Sequence, residues 1–451
     1  MKNSTKKIWG LLLALIIIVS MAGCGNDAST DNMTDGNDAG GTTNEQTSEQ
    51  ANQENNSEEK ETIEIELWNI ATAGDDKLNA AVENAIKTIE SERPDIKINL
   101  SSSDGDAYKT KIKTAVAANE MPDIFYTWLP GYSQAFVDSG SVLKLDDYLS
   151  QDAKDNINME AVQSGNGTYD GIYALPIEVK MGVLYCNTQL FDEYNIQVPD
   201  NYEELLTAVQ AFNEVGIQSI NAPGKRIWPV MWLYDILAVK TVGAEASISA
   251  LKKEASFDQE GFMEAALKMQ ELVDANAFVE GAIGLDNPEA DAEFMNGNVP
   301  MYFMGTWAAP TFADPKNPVA EGLIAKRFPG VGNGFDNDML GGTGDGYMVA
   351  DSSEHKEEAV WVVERFTKLM CESDVTLFPV WNVEKDFSGM APVFNDLNQI
   401  FSEAEGFVIW WDTYMNGDDA QTHKNLVLEL FAEVKTPEEF MEGMKAISDK
   451  Q

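Results

Sequence analysis

The spacing of the hydrophobic positions changes between two periods from residue 62 onward. Isoleucine and leucine alternate with polar residues over 63–67 and again over 96–100, which predicts strands. Over 78–89 and 108–118 the apolar positions recur every three or four residues, which predicts helices, and 124–126 is typical of a buried strand. This order of strand, helix, strand, helix and strand predicts an α/β lobe with parallel pairing.

Polar and aromatic side chains follow the three predicted strands. Trp68 and Asn69 end the first strand, a loop that contains Asp104 follows the second, and Trp128 follows the third. Ligands of parallel sheets bind beyond the carboxyl ends of the strands. We therefore expect these side chains along one rim of the sheet.

Helical spacing recurs later in the chain, over 205–209, 262–273, 355–370 and 437–447. Asp200 and Glu203 are a candidate capping pair for the first of these helices, and Thr436 and Glu439 for the last. The chain has 451 residues, which is more than one hydrophobic core usually organises, so we expect two lobes.

The N-terminal residues predict export and lipid attachment. Three lysines precede an apolar run over 8–19, which is too short to span a bilayer, and small residues lead to Cys24. This arrangement resembles a bacterial lipoprotein signal, in which the cysteine is acylated and becomes the mature N-terminus. We expect 1–23 to be a signal peptide and 24–61, which is polar and acidic, to be a disordered tether.

Composition excludes some partners. The chain has 75 Asp and Glu residues against 31 Lys and Arg, and this acidity argues against nucleic acid or acidic lipid as a partner. Besides Cys24, only Cys186 and Cys371 are present, each in an apolar segment. Buried free thiols are the preferred interpretation, although an exported protein could also form a bridge between them.

A series of short motifs resembles the bacterial family 1 extracellular solute-binding proteins, in the same order along the chain. The motifs are LNAAVENA at 78–85, PDIKI at 94–98, MPDI at 121–124, LDDYL at 145–149, YALP at 173–176, FMNG at 294–297 and GGTGDG at 341–346. Each motif is weak alone, but their order is specific, and together with neighbouring matches they cover nearly all of 62–451.

The resemblance implies an α/β protein with a two-lobe, type II periplasmic-binding-protein-like fold, whose lobes are joined by crossover hinge segments. It places 62–172 and 341–385 in the N-terminal lobe, and 173–340 and 386–451 in the C-terminal lobe. The crossings are expected near 173–177, 328–340 and 385–392. The resemblance further implies that the lobes close around a carbohydrate and deliver it to the permease subunits of an ABC transporter. We expect a monomer with no cofactor, metal or catalytic residue.

Tryptophan is the first class of candidate ligand contact. An indole face offers broad apolar contact with one polar edge, which suits the C–H face of a pyranose ring. The candidates lie at predicted strand ends or in loops: Trp128, Trp228, Trp232, Trp307 and Trp410. Core packing is an open alternative for each of them, and we assign Trp411 to the core because it points away from Trp410.

Carboxylates and amides are the second class, because they hydrogen-bond to sugar hydroxyls at fixed angles. The candidates lie near the rim segments: Asn69, Asp104, Glu178, Asp345 and Asp412. With so many acids in the chain, a solvated surface position is the alternative interpretation for any one of them.

Other chemistry is disfavoured. The glycine-rich stretch 341–346 lacks the Lys-Ser/Thr of a phosphate-binding loop and predicts instead a turn that lets backbone or ligand approach. His355 and His423 lie in polar helical surroundings without ligand spacing, which argues against a metal site. The main alternative function is a surface glycosidase. A second alternative is the same fold with a polyamine, peptide or ferric ion as ligand.

Overall fold

A computed structural model describes residues 62–71, 76–166 and 169–450. The predicted signal peptide, the tether up to residue 61 and the acylation site Cys24 lie outside these residues. The strands are β1 Ile63–Asn69, β2 Ile96–Ser102, β3 Ile124–Trp128, β4 Lys180–Asn187, β5 Ile220–Asn221, β6 Met301–Gly305, β7 Leu323–Lys326, β8 Asp338–Gly342, β9 Asp345–Val349 and β10 Gly406–Val408.

The helices include the four that helical spacing predicts after residue 200. Their bounds are α1 Asp76–Glu92, α2 Gly105–Ala118, α3 Gln134–Asp138, α4 Gln151–Asn156, α5 Met159–Asn166, α6 Thr188–Glu193, α7 Tyr202–Glu214, α8 Trp228–Leu251, α9 Glu260–Asp274, α10 Asn287–Met295, α11 Ala309–Phe312, α12 Lys356–Glu372, α13 Pro392–Glu403, α14 Trp411–Tyr414, α15 Gly417–Phe431 and α16 Pro437–Ser448. Short 3-10 helices cover Ala282–Gly284, Thr306–Ala308 and Pro318–Gly322. None of the helices in the described ranges has both the length and the apolar character needed to cross a bilayer.

The first sheet has the strand order β2-β1-β3-β9. β1 is parallel to β2 and β3, as the strand and helix order predicts, and β9 joins antiparallel from a distant part of the chain. Inward side chains of these strands pack with α1, α2 and α12 into a hydrophobic cluster that we call the first core. Trp68, Asn69 and Trp128 lie at the carboxyl ends of β1 and β3, at one rim of this sheet.

The second sheet has the order β10-β8-β4-β6-β5, with β7 pairing to β4. Its strands and the long helix α8 build a separate cluster, the second core. Most positions of α8 are buried, because the helix is apolar on nearly every side. The mixed sheets and two cores agree with the two-lobe α/β architecture.

The chain changes core at three neighbouring segments. Leu175 exchanges backbone hydrogen bonds of 3.0 Å with Tyr347 in the first sheet, and Lys180 pairs with Gly342 in the second. A third segment runs alongside, since Glu178 forms an antiparallel bridge with Pro379. These three segments are therefore hydrogen-bonded to one another where they pass between the cores.

Glycine permits the close contact of two of these segments. A Cβ added to Gly341 would lie 2.1 Å from the carbonyl oxygen of Lys180, and its φ is +153°. The following Gly342 also has a positive φ, of +136°. The glycine-rich stretch thus brings backbone against backbone, as predicted, but it forms the end of β8 and the start of β9 rather than a tight turn.

Three local predictions can be compared directly with the structure. Asn201 caps α7 in place of the predicted Asp200, because its side chain accepts from the backbone N–H of Glu204. Thr436 and Glu439 form the predicted capping box. Cys186 and Cys371 are buried free thiols in different cores, which confirms the preferred interpretation.

Candidate ligand-binding site

A cavity of about 330 Å³ lies between the rim of the first sheet and the aromatic end of the second core. Both cores contribute side chains to its lining. All but one of the predicted contact residues line it: Asn69, Trp128, Glu178, Trp228, Trp232, Trp307, Asp345, Trp410 and Asp412. Asp104 is the exception, because its carboxylate lies outside the lining.

Four indoles from the second core form one cluster. Trp228 and Trp232 lie one turn apart in α8, with ring centroids 4.4 Å apart. Trp410 stacks on Trp232 at 4.0 Å and 15°, and Trp307 meets Trp410 edge-on at 5.8 Å. Distant segments of the chain therefore build a continuous aromatic wall.

Backbone glycines make room for this wall. A Cβ on Gly305 would lie 2.1 Å from the ring of Trp307, and one on Gly344 would lie 2.8 Å from the ring of Trp410. Real Cβ atoms essentially never approach that closely. The glycines that precede the second 3-10 helix and β9 thus allow the observed positions of these two indoles.

Trp128 provides aromatic surface from the first sheet. As the last residue of β3, it packs edge-on against Tyr126 at 5.2 Å and Tyr132 at 5.5 Å. The ammonium of Lys109 lies 4.3 Å from its ring centroid. Cation–π contact and edge packing hold this indole in place while part of its surface stays exposed.

An ion pair lies where two crossing segments meet. Lys180 Nζ donates to both carboxylate oxygens of Asp345, at 2.8 and 3.0 Å. Burial alone would lower the pKa of Lys180, but the carboxylates of Asp345 and Glu178 outweigh it and raise that pKa. The cavity lining therefore includes a compensated charge pair beside the crossing segments.

Glu178 is the neighbouring buried carboxyl. It accepts a hydrogen bond from the backbone N–H of Leu377, at 3.1 Å. Burial raises its pKa to about 7, against the opposing effect of Lys180. The side chain can therefore change between hydrogen-bond donor and acceptor near neutral pH.

Two buried donors in the lining lack a protein partner among the described residues. Asn69 Oδ1 accepts from the hydroxyl of Tyr347, at 2.9 Å, and from the N–H of Ile70, but its Nδ2 has no acceptor. The indole N–H of Trp232 is also buried without an acceptor. Buried donors without a partner are rare in native proteins, so both are candidate donors to a ligand.

Charged groups from both cores meet at the mouth of the cavity. Arg226 Nη1 lies 3.0 Å from Asp104, and its Nε lies 2.6 Å from Asp286. Asp412 pairs with Lys424 at 2.6 Å. Burial opposes ionisation of Asp412, yet Lys424 and Lys109 lower its pKa.

The sequence matches the bacterial extracellular solute-binding proteins over residues 71–368, which is more than half of the chain. The protein belongs to this family.

Solved structures show the same architecture. One, from work on xylan utilization by the thermophilic bacterium Caldanaerobius polysaccharolyticus, is 39% identical, with a TM-score of 0.80 over 85% of this chain and 99% of that one. A chitin oligosaccharide binding protein is 23% identical, with a TM-score of 0.77 over 86% and 98% of the two chains. The multiple sugar-binding protein of Streptococcus mutans is 23% identical over 65% of this chain and 68% of its own length.

Sequence reasoning missed the basic residues of this solute-binding protein's cavity: Lys77, Lys109, Lys180 and Arg226. Lys180 carries a recognisable signal, because it lies two residues after Glu178 and an extended chain puts such residues on one face. The others lie on helices or before one, far in sequence from their partners. Nothing in local spacing indicates those partners.

The interpretation of His423 as lying in polar surroundings is wrong. Its ring is fully buried, with Nε2 2.7 Å from the carboxylate of Asp235 and Nδ1 3.2 Å from the sulfur of Met444. It occupies the inner face of α15 with Ala420 and Val427. Among the described residues of the solute-binding protein, no three His, Cys, Asp or Glu side chains are grouped to hold a metal.

Proposed function

We propose that the protein captures an oligosaccharide in this cavity and delivers it to an ABC importer. The observation that carries the proposal is the combination of indole surfaces from both cores with buried donors that lack a protein partner, Asn69 Nδ2 and Trp232 Nε1. Indole faces match the C–H faces of pyranose rings, and sugar hydroxyl oxygens accept from buried N–H groups. A volume of about 330 Å³ falls within the usual range of ligand sites.

The charges favour a sugar over a cation. A polyamine or ferric ion needs carboxylates that are free to compensate it. Lys180 already engages Asp345, and Lys424 already engages Asp412. Because these acids have ammonium partners, they support orientation of neutral hydroxyls rather than capture of a cation.

Binding without turnover is part of the proposal. A glycosidase needs two carboxyl groups that flank the bond and are free to donate a proton and to attack or activate water. The ammonium partners of Asp345 and Asp412 oppose those roles. We expect chromatography to recover the bound oligosaccharide intact after prolonged incubation with the protein. Hydrolysis products formed in proportion to protein concentration would contradict this part.

The two-lobe fold supports capture by closure. The ligand would contact both cores, and the three hydrogen-bonded segments between them would bend as a hinge. Closure buries the sugar between Trp128 and the cluster of Trp228 and Trp307. Its energetic driving force is the difference between the ligand's contacts in the closed and open states.

A lipid anchor is proposed from the N-terminal sequence. Residues 1–23 would be removed and Cys24 acylated, which would hold a monomeric receptor at the extracellular face of the cell membrane through the tether. We expect Cys24→Ser to release the protein into the medium. A variant as membrane-bound as wild type would contradict the anchor and leave the sugar site unaffected.

The decisive experiment is a thermal-shift screen followed by calorimetry. The panel contains xylotetraose, chitotetraose, maltotetraose and raffinose, with spermidine, a tetrapeptide and ferric citrate as representatives of the other ligand classes. A bound ligand stabilises the folded state in proportion to the logarithm of its concentration over Kd. We expect at least one saccharide to raise the melting temperature. A shift from spermidine, peptide or ferric citrate alone would overturn the proposal.

A further inference from the structure

A second cavity of about 500 Å³ adjoins the first. It lies between α2 and the segment that contains α14 and the start of α15, so each core provides one side. Lys109, Trp128, Asp412 and Thr413 line both cavities. We call this second cavity the α2–α15 groove, and a ligand longer than the first cavity would extend into it.

The groove carries positive charge in a strongly acidic protein. Among the described residues, its lining has three lysines, Lys109, Lys113 and Lys424, against one carboxylate, Asp412. Lys424 lies 2.6 Å from Asp412, so the single acid is already engaged. The whole chain has 75 acidic and 31 basic side chains, so the net charge of the groove lining is opposite in sign to that of the chain.

The walls of the groove also suit a sugar. Trp128 and Tyr132 meet edge-on at 5.5 Å, and the ammonium of Lys113 lies 4.9 Å from the ring centroid of Tyr132. Hydroxyl and amide groups of Thr114 and Gln421 complete the lining. Aromatic surface beside hydrogen-bonding groups is the same combination that the first cavity offers.

We propose that the α2–α15 groove binds an acidic sugar unit, whose carboxylate lies among the ammonium groups of Lys109, Lys113 and Lys424. The inference rests on the proposed function and names its ligand class, an oligosaccharide that carries a uronic acid. An acidic unit would be attracted by the net positive charge of the lining, and a cationic unit would be repelled. Lysine suits this role because its ammonium is a compact charge that a single carboxylate can approach from several directions.

The test uses ligands that differ only at the carboxyl group. Calorimetry measures Kd for glucuronosyl-xylotetraose and for tetragalacturonate, each beside its carboxyl-reduced form, in which –COOH has become –CH₂OH. We expect one acidic ligand to bind wild type at least about tenfold more tightly than its reduced form, and this preference to shrink as NaCl rises from about 50 to 500 mM.

Variants locate the effect in the groove. Lys113→Gln removes an exposed ammonium that lines the groove and not the first cavity, and it should weaken acidic-ligand binding about fivefold. Lys87→Gln is the matched control, because Lys87 is an exposed lysine on α1 outside both linings. It should leave Kd unchanged.

The other possible results distinguish a failure of this inference from a failure of the proposed function. Equal affinity for acidic and reduced ligands would overturn the acidic subsite and leave sugar capture intact. The same holds if neither acidic ligand binds while a neutral saccharide of the earlier panel does. If no saccharide in either set binds, the proposed function is wrong and the subsite falls with it. If Lys87→Gln reduces the preference for the acidic ligand as much as Lys113→Gln does, the preference originates outside the groove.

Discussion

The indoles of the second core differ in burial, and this difference distinguishes those that stabilise the fold from those that mainly contact a ligand. Trp232 and Trp410 are 5% and 4% exposed, whereas Trp228 and Trp307 retain more exposed surface. When one ring of a stacked and buried pair is removed, the partner ring and the surrounding core both lose packing contacts. An indole with an exposed face loses mainly the surface that it offers to a ligand.

Trp307→Ala and Trp410→Ala should therefore behave differently. Trp307→Ala should weaken saccharide binding at least about tenfold with little loss of stability. Trp410→Ala should also lower the free energy of unfolding, by about 3–5 kcal/mol, because it removes the ring stacked on Trp232. Calorimetry gives the affinities and urea unfolding the stabilities. An unchanged titration curve for Trp307→Ala would reject its assignment as a contact.

Glu178 predicts a pH effect on stability. Its pKa is about 7 when folded against 4.5 in the reference state, so between these values the folded protein keeps a proton that the unfolded chain has released. Raising the pH through this window therefore favours unfolding, by up to about 3 kcal/mol in total. Glu178→Gln removes this titration, and its stability relative to wild type should rise from pH 4.5 and level off above pH 7.

Urea unfolding at several pH values measures this difference. Other buried acids titrate in wild type and variant alike, so only the difference between the two proteins reports on Glu178. Glu384→Gln changes an exposed glutamate and serves as control. A constant difference between Glu178→Gln and wild type from pH 4.5 to pH 8 would contradict the raised pKa.

Residue identity predicted much of the cavity lining, but not the partners of its charges. Asn69 and Trp128 could be placed at the rim because parallel strands end together. Asp104 was also placed there, yet it pairs with Arg226, which is 122 residues away in sequence. Such a pairing depends on the packing of distant helices. No local spacing encodes it.

At the scale of elements, the turn between β6 and its following 3-10 helix positions one wall of the cavity. Gly305 ends β6, and the ring of Trp307 packs against the Cα of Gly305. A methyl group there would require the indole to move, because a Cβ at this position would lie 2.1 Å from the ring. The length and sequence of this turn thus determine the direction of Trp307.

Gly305→Ala should weaken saccharide binding about as strongly as Trp307→Ala, although it removes no ligand contact. Gly389→Ala is the control, because a Cβ at Gly389 meets nothing within 4 Å. Calorimetry gives Kd, and near-ultraviolet circular dichroism reports the changed indole packing. Wild-type affinity for Gly305→Ala would show that the observed position of Trp307 is not required for binding.

Elements with one apolar face were predictable, and those without one were harder to assign. The spacing over 437–447 predicts α16 and its capping box. α8 is apolar on nearly every side, so periodicity gives no bounds for it beyond the one-turn spacing of Trp228 and Trp232. His423 lies on the inner face of α15, but its partner Asp235 belongs to α8, 188 residues earlier. Burial of a histidine becomes favourable only with such a partner, which spacing alone does not reveal.

In the whole molecule, polar contacts outside the crossing segments also join the two cores. Arg226, next to α8 of the second core, pairs with Asp104, next to α2 of the first. Lys77 of α1 donates to the backbone oxygen of Pro310. In a closure mechanism these contacts form only when the cores approach, so they stabilise the closed state relative to the open one.

Asp104→Asn should therefore speed ligand dissociation without unfolding the protein. The carboxylate is 52% exposed and the arginine 24%, so the pair contributes little, and we expect an effect of about two- to fivefold on koff. Asp258→Asn breaks a comparable exposed pair, Asp258 with Lys445, that joins the segment before α9 to α16 and should leave koff unchanged. Stopped-flow tryptophan fluorescence measures both rates. Because Asp104 lies outside the cavity lining, a slower association with unchanged koff would place its effect on ligand encounter and contradict a role in holding the lobes closed.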